Sequence, residues 1–337
     1  MSRAIVALVL AFLVAGCSPL TATGSRSSST PVTSRPAALS ADPYLDLARR
    51  LAARDVEVWF EADLVRSWLD GPAAFDETVG RLAVLAREPG VVGFKIADEL
   101  GYGDGLATPQ QVQRFLLDAD AALDEVAPGK QLLVDMLVPE LGCLPWQGAP
   151  QRACASEAER TYPAATMSAV TRYLRTSRVD RLDLSTGLLE PTTYEAWGLT
   201  RQEAQRQAWQ HVRTLGWAAY TTLQSRKALA APGGYQGSTE AAEADVATYV
   251  EEPVAGGAEA VDIWTWRQPY DGATVSLLDE RLRPNPLWML LGEQPAPVRL
   301  ITHMTPSAMP TDPAALEAEV DLAATVFDAV FVAAGTG

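Results

Sequence analysis

The sequence predicts an α/β chain folded as a (β/α)8 barrel, placed after a signal peptide and a flexible tether. Three observations carry that expectation. Beyond residue 40, eight apolar strand-like runs alternate with amphipathic helical patterns. The runs recur at the rhythm of βα units, which favours parallel strands. An open doubly wound sheet would often carry a Gly-rich phosphate turn after a strand. The glycines of GYGDG at 101–105 bring neither a helix start nor a P-loop lysine, and this stretch reads as a loop.

The first segment, MSRAIVALVLAFLVAGCSPL, has one early cation, Arg3, then an apolar run from Ala4 to Ala15. The run is too short for a membrane span, which needs about 20 residues, and suits a signal-peptide core. Val14-Ala15-Gly16-Cys17 resembles a bacterial lipobox, which implies cleavage before Cys17 and lipid on its sulfur. Residues 1–16 are thus expected to be a lipoprotein signal peptide. Residues 17–40, rich in Ser, Thr and Pro, cannot bury enough apolar surface to fold and read as a tether. The barrel domain takes 41–337.

Within it the strand candidates are 56–63, 91–99, 131–137, 179–185, 217–224, 260–266, 298–304 and 329–335. A helix, DPYLDLARRLAAR, precedes the first. Between strands, PAAFDETVGRLAVLAR, PQQVQRFLLDADAALDEV, TMSAVTRYLRT, RQEAQRQAWQHVRTL, TEAAEADVATYVEE and PAALEAEVDLAATVF place apolar residues at three- and four-residue steps. Thr108-Pro109 and Asp312-Pro313 are helix starts.

With 27 Lys and Arg against 42 Asp and Glu, the formal charge is −15. Such a chain is not expected to bind nucleic acid. Of three cysteines, Cys17 takes the lipid. Cys143 and Cys154 share one Pro-rich segment in an oxidising compartment and are expected to form a disulfide closing that loop. Two cysteines alone do not complete a zinc set. The only histidines, His211 and His303, are too few for a His-rich metal hydrolase. Neither a metal nor another cofactor is expected, and the chain is expected to be a monomer.

Alternate residues of a strand face opposite ways. Glu57, Trp59, Glu61 and Asp63 share one face of the first strand; Lys95, Ala97 and Glu99 share one of the second. Arg181, Asp183 and Ser185 share one of the fourth, and Asp262, Trp264 and Trp266 one of the sixth. In a barrel these sets face the lumen, as internal ion pairs or as a polar binding site. Barrel sites lie at the C-terminal strand ends. There the sequence puts Glu61, Asp63, Asp98, Glu99, Asp135, Asp183, Gln224, Trp264, Trp266, Arg267 and His303. Carboxylates with flat indoles suit sugars: acids move protons, and rings stack on pyranose faces.

The stretch EPGVVGFKIADELG resembles the fourth-strand segment of retaining glycoside hydrolases with a TIM barrel, where an apolar strand runs into Asn-Glu-Pro. The resemblance implies that Glu99 is the acid/base. It makes AVDIWTW the eighth strand, with Trp264 or Trp266 at the sugar site, and RPNPLWMLLG the closing helix. The first two strands then come from the C-terminal VRLITHM and AVFVAAG, a circular permutation. The family's nucleophile ends strand seven, where this chain has Gln224; Asp98 stands for the Asn and Leu100 for the Pro.

The expected function is therefore a glycoside hydrolase-like lipoprotein acting on a glycan, extracytoplasmic and held to a bacterial membrane through Cys17. Glu99 is the acid/base, with a second acid from Glu61, Asp63 or Asp183. Trp59, Lys95, Asp135, Gln224, Trp264, Trp266 and Arg267 are the candidate substrate contacts. The alternative is a carbohydrate-binding lipoprotein that keeps the barrel without catalysis.

Overall fold

A computed structural model of the chain describes residues 42–333. The expected signal peptide and tether, with Cys17, lie outside the described residues, as do the last residues of the eighth strand candidate. Ten strands form one sheet: β1 (Glu57–Glu61), β2 (Val91–Lys95), β3 (Gln131–Leu137), β4 (Arg181–Ser185), β5 (Thr222–Ala228), β6 (Ala231–Pro232), β7 (Ala260–Tyr270), β8 (Ala273–Ser276), β9 (Arg299–Met304) and β10 (Ala329–Ala333). Eight of them close a parallel barrel in the order β1, β2, β3, β4, β5, β7, β9, β10, with β10 returning to β1. The (β/α)8 fold is thus present. β7 outruns the barrel and turns back through Asp271-Gly272, both at positive φ, into the antiparallel β8. Two such residues match the twist of a tight hairpin.

The helices follow from their apolar stripes and caps. Helix Pro109–Val126 starts with a capping box between Thr108 and Gln111 and buries Val112, Phe115, Leu116, Ala119 and Leu123. Thr200 and Glu203 form a second box at the start of Arg201–Thr214. Asp312 caps Pro313–Ala323. The main core lies between these helices and the outer face of the barrel. A smaller apolar plug of Trp59, Leu133, Ala260, Ile301, Ala329 and Phe331 fills the lumen. Trp59 has room because Gly93 faces it. A Cβ there would meet the Trp59 ring and the Gln131 carbonyl.

Three expectations are corrected. The fifth strand begins at Thr222, because Trp217–Ala219 is a 3-10 turn. That moves Gln224 from the strand end into the barrel and puts Arg226 nearer the mouth. The segment around the cysteines is helical, Pro139–Cys143 followed by Ala149–Thr161, and the Cys143–Cys154 disulfide joins two helices, Cα to Cα 5.5 Å. Finally, the register of β7 on β9 shifts between Ile263 and Arg267, which ends the simple alternation there.

Candidate active site

The lumen above the apolar plug is charged. Lys95, fully buried, sets its Nζ 3.3 Å from Glu61 Oε1, 3.2 Å from Asp98 Oδ1 and 3.4 Å from Asp135 Oδ2. Arg226 pairs with Asp135, lies 3.1 Å from Asp98 and reaches Glu99 at 3.8 Å. His303 lies between two carboxylates, with Nδ1 2.8 Å from Glu61 and Nε2 2.7 Å from Asp262. Each ring nitrogen faces a carboxylate oxygen, a setting that favours the imidazolium.

Over this network, at the C-terminal end of the barrel, opens a cavity of about 440 Å³. Glu61, Asp63, Asp98, Asp104, Arg66 and Gln268 give it its polar wall. Asp63 caps helix Leu64–Asp70 through the Arg66 amide at 2.9 Å. Asp104 accepts from the Gly101 and Leu106 amides, each at 2.9 Å. Gln268 accepts from the Trp264 indole at 3.0 Å. Trp264 is half-buried and meets the exposed Tyr270 edge-on at 5.1 Å.

The carboxyls of this mouth have different proton affinities. Burial pushes Glu61 up, but Lys95 and His303 outweigh it and hold it below the usual carboxylate range. Burial likewise opposes Lys95 and Arg226 at Asp98, and the cations win by a wide margin. Glu99 goes the other way: burial raises it, and Arg226 offsets only part. Burial lowers His303 while Asp262 and Glu61 raise it, for a net rise.

The sequence candidates therefore separate by depth. Glu61 and Asp63 line the cavity, and Glu99 stands beside it, half-exposed, at φ +48°. Lys95, Asp135, Asp183 and Gln224 are wholly buried, and Trp59 belongs to the plug; none of the five presents a surface to a ligand. Trp266 is turned outward against Trp288, donating to Glu319 at 3.0 Å, because the β7 irregularity reverses its face. Arg267 pairs with Glu319 at 2.9 Å and borders a different cavity. Alternation extended through the second strand places Asp98 away from Lys95 and Glu99 beside it. β2 ends at Lys95, and beyond it Asp98 takes the inner place. Arg226 was hidden by the misplaced strand start. His303 and Asp262 stood in the right strands, but their pairing is a contact no spacing shows.

No protein-family model and no curated protein sequence matches the chain. Several solved structures align with much of the chain at low identity. A probable tagatose 6 phosphate kinase from Sinorhizobium meliloti 1021 is 16% identical over 83% of this chain, with a TM-score of 0.46. The match covers 65% of that kinase, so the chain spans less than two thirds of its length. A putative deoxyribose-phosphate aldolase from Toxoplasma gondii ME49 is 15% identical, covering 86% of this chain and 90% of the aldolase, at TM-score 0.42. A beta-mannanase from the blue mussel Mytilus edulis is 8% identical, covering 84% of this chain and 87% of the mannanase, at TM-score 0.43. At these identities and TM-scores the likeness assigns no function. The molecule is a parallel eight-stranded α/β barrel with an acid-lined mouth.

Proposed function

We propose that the protein is a glycoside hydrolase-like enzyme that works on a neutral glycan by carboxylate acid/base chemistry. The reading is carried by the split among the mouth carboxyls. Burial pushes the Glu99 carboxyl up, while neighbouring cations hold Glu61 and Asp98 below the usual carboxylate range. Environments that drive neighbouring carboxyls apart supply an acid and a base at one pH. Asp98 and Glu99 share Arg226 Nη1, at 3.1 and 3.8 Å, so these oxygens are at most about 7 Å apart. In this reading Glu99 protonates the leaving oxygen, and Asp98 or Glu61 takes the opposing role. The acid-rich wall disfavours phosphorylated or carboxylated substrates. Trp264 and Tyr270 offer the aromatic surface that sugars stack on.

One observation favours the binding-only alternative. The resemblance expects a nucleophilic carboxylate at the mouth of β5, and Arg226 stands there, with Gln224 buried beneath. A glycan-array and aryl-glycoside screen separates the two. Turnover by the wild type that falls about 10²–10⁴-fold in Glu99→Gln, with binding kept, supports the enzyme. Binding without turnover in both proteins leaves the binding lipoprotein, and neither result in either protein rejects both readings. The proposed address is extracytoplasmic, with lipid on Cys17 as membrane anchor. Lipid labelling that survives Cys17→Ser rejects that anchor.

A further inference from the structure

The upper lumen holds more acid than it has cations to balance. Glu61, Asp98, Asp135, Asp183 and Asp262 face Lys95, Arg226 and His303. The same place collects buried polar atoms without a hydrogen-bond partner: Asp135 Oδ1, both Asp183 oxygens, both Gln224 side-chain heteroatoms and Asp262 Oδ1. They stand on adjacent strands, with Asp135 opposite Asp183 and Asp183 opposite Gln224. Buried uncompensated charge is costly enough that a group takes up a proton or a cation instead. Among the described residues, no three His, Cys, Asp or Glu are placed to hold a metal ion. Lys95 and Arg226 already occupy Asp135. A proton is the remaining counter-charge, and Asp183, fully buried with no cation in contact, is where it belongs.

We propose that Asp183 is a carboxylic acid at neutral pH, sharing its proton with Asp262, and that His303, held by Asp262, is the proton donor to Glu61 at the cavity wall. The transfer balances. His303 gives its Nδ1 proton to Glu61 and keeps the Nε2 proton that faces Asp262. His303 ends as the neutral imidazole and Glu61 as the acid, with no change in total charge or electrons, and Asp183 keeps its proton. Glu61 can thereby be reprotonated without solvent crossing the bound substrate.

The surroundings agree with this assignment. Asp183 is faced by Asp262 on β7, Asp135 on β3, Gln224 and Arg226 on β5, and the more remote Lys95 on β2. Burial raises its pKa, and Asp262 and Asp135 raise it further. His303 is faced by Glu61 on β1, Asp262 on β7, Lys95 on β2 and the Phe331 ring on β10 at 4.8 Å. The use of His303 as proton donor rests on the acid/base reading above; the proton on Asp183 does not.

Infrared difference spectra of the full chain, wild type against Asp183→Asn, test the proposal at neutral pH. A carboxylic-acid carbonyl band is expected in the wild type and lost in the variant. NMR of the imidazole nitrogens is expected to show His303 protonated at both positions. If Asp183→Asn does not fold, isotope-labelled aspartate carboxyls in the wild type report the same proton. On a substrate found by the screen, His303→Gln is expected to lower kcat about tenfold with KM unchanged. Absence of the carboxylic-acid signal, its persistence in Asp183→Asn, a neutral His303, or a tightly retained metal ion in its place overturns the proposal. A negative glycoside screen with these signals present rejects the hydrolase reading and leaves the proton on Asp183 standing.

Discussion

At the scale of single residues, Lys95 is the hub of the lumen. Its ammonium is wholly buried and within 3.4 Å of three carboxylates, and their fields hold it charged well above the usual lysine range despite burial. Removing one partner of a buried charge set leaves the others without compensation. Lys95→Met is therefore expected to lower unfolding free energy by about 3–5 kcal/mol, read from urea transitions, with Asp135→Asn restoring part of the loss. A loss below about 1 kcal/mol would show that the carboxylates are satisfied without the lysine. Much of this network was legible as a face: Lys95, Asp183 and Asp262 alternate correctly along their strands. What alternation could not supply was where each strand ends. Asp98 enters the network because β2 stops three residues before it, and Arg226 because β5 starts five residues later than its apolar lead-in, Trp217 to Thr221, suggests. Trp266 faced the wrong way for a related reason, a register shift that side-chain period does not encode.

At the scale of elements, the sequence read best where an amphipathic stripe met a cap, as at Pro109–Val126, and least where short helices are set by tertiary contacts. The β3 to β4 connection is the clearest case. Ahead of the expected helix TMSAVTRYLRT its Pro, Gly and Cys content reads as loop, yet that stretch folds into Pro139–Cys143 and Ala149–Thr161 before Met167–Thr176. Two devices hold these pieces. The Cys143–Cys154 disulfide closes a separation of 11 residues, and opening such a loop costs about 2–3 kcal/mol. Glu140 accepts from the Met167 amide at the start of the third helix, and burial, then contact with Glu159, push its pKa up to about 7. A carboxyl raised in the folded state contributes stability fully below its unfolded pKa and loses it as pH rises through the folded one. Double Cys→Ala replacement at 143 and 154 is expected to lower stability at every pH. Glu140→Gln is expected instead to flatten the decline between about pH 4.5 and 7, worth about 1–3 kcal/mol. A Glu140→Gln curve parallel to the wild type would show that this carboxyl does not titrate there.

At the scale of the whole molecule, these titrations fix where the barrel is most stable. Glu61, Asp98 and Asp262 have depressed folded pKa values, so their contribution is present above the unfolded carboxylate range and lost as pH falls through the folded values. Glu99, Asp104, Glu140 and Asp183 are raised, so folding favours their protonated forms and is weakened as pH rises past the unfolded range. His303 is raised too; its imidazolium stabilises below the unfolded histidine value and that stability is lost as pH climbs through the folded one. Net charge acts in the same direction, because a chain at −15 gains self-repulsion as remaining protons leave. Both alkaline contributions push the optimum below neutrality, and the ionised lumen carboxylates stop it from sliding far into acid. Urea midpoints are expected to peak between about pH 4.5 and 6.5 and to decline toward pH 8. Combining Glu140→Gln with His303→Gln is expected to flatten the alkaline limb. The acid limb should persist, since Lys95 and Arg226 still hold Asp98. A midpoint that rises steadily from pH 6 to pH 8 would mean that the raised carboxyls and His303 are not protonated in the folded barrel, and would remove the physical basis for a proton held inside it.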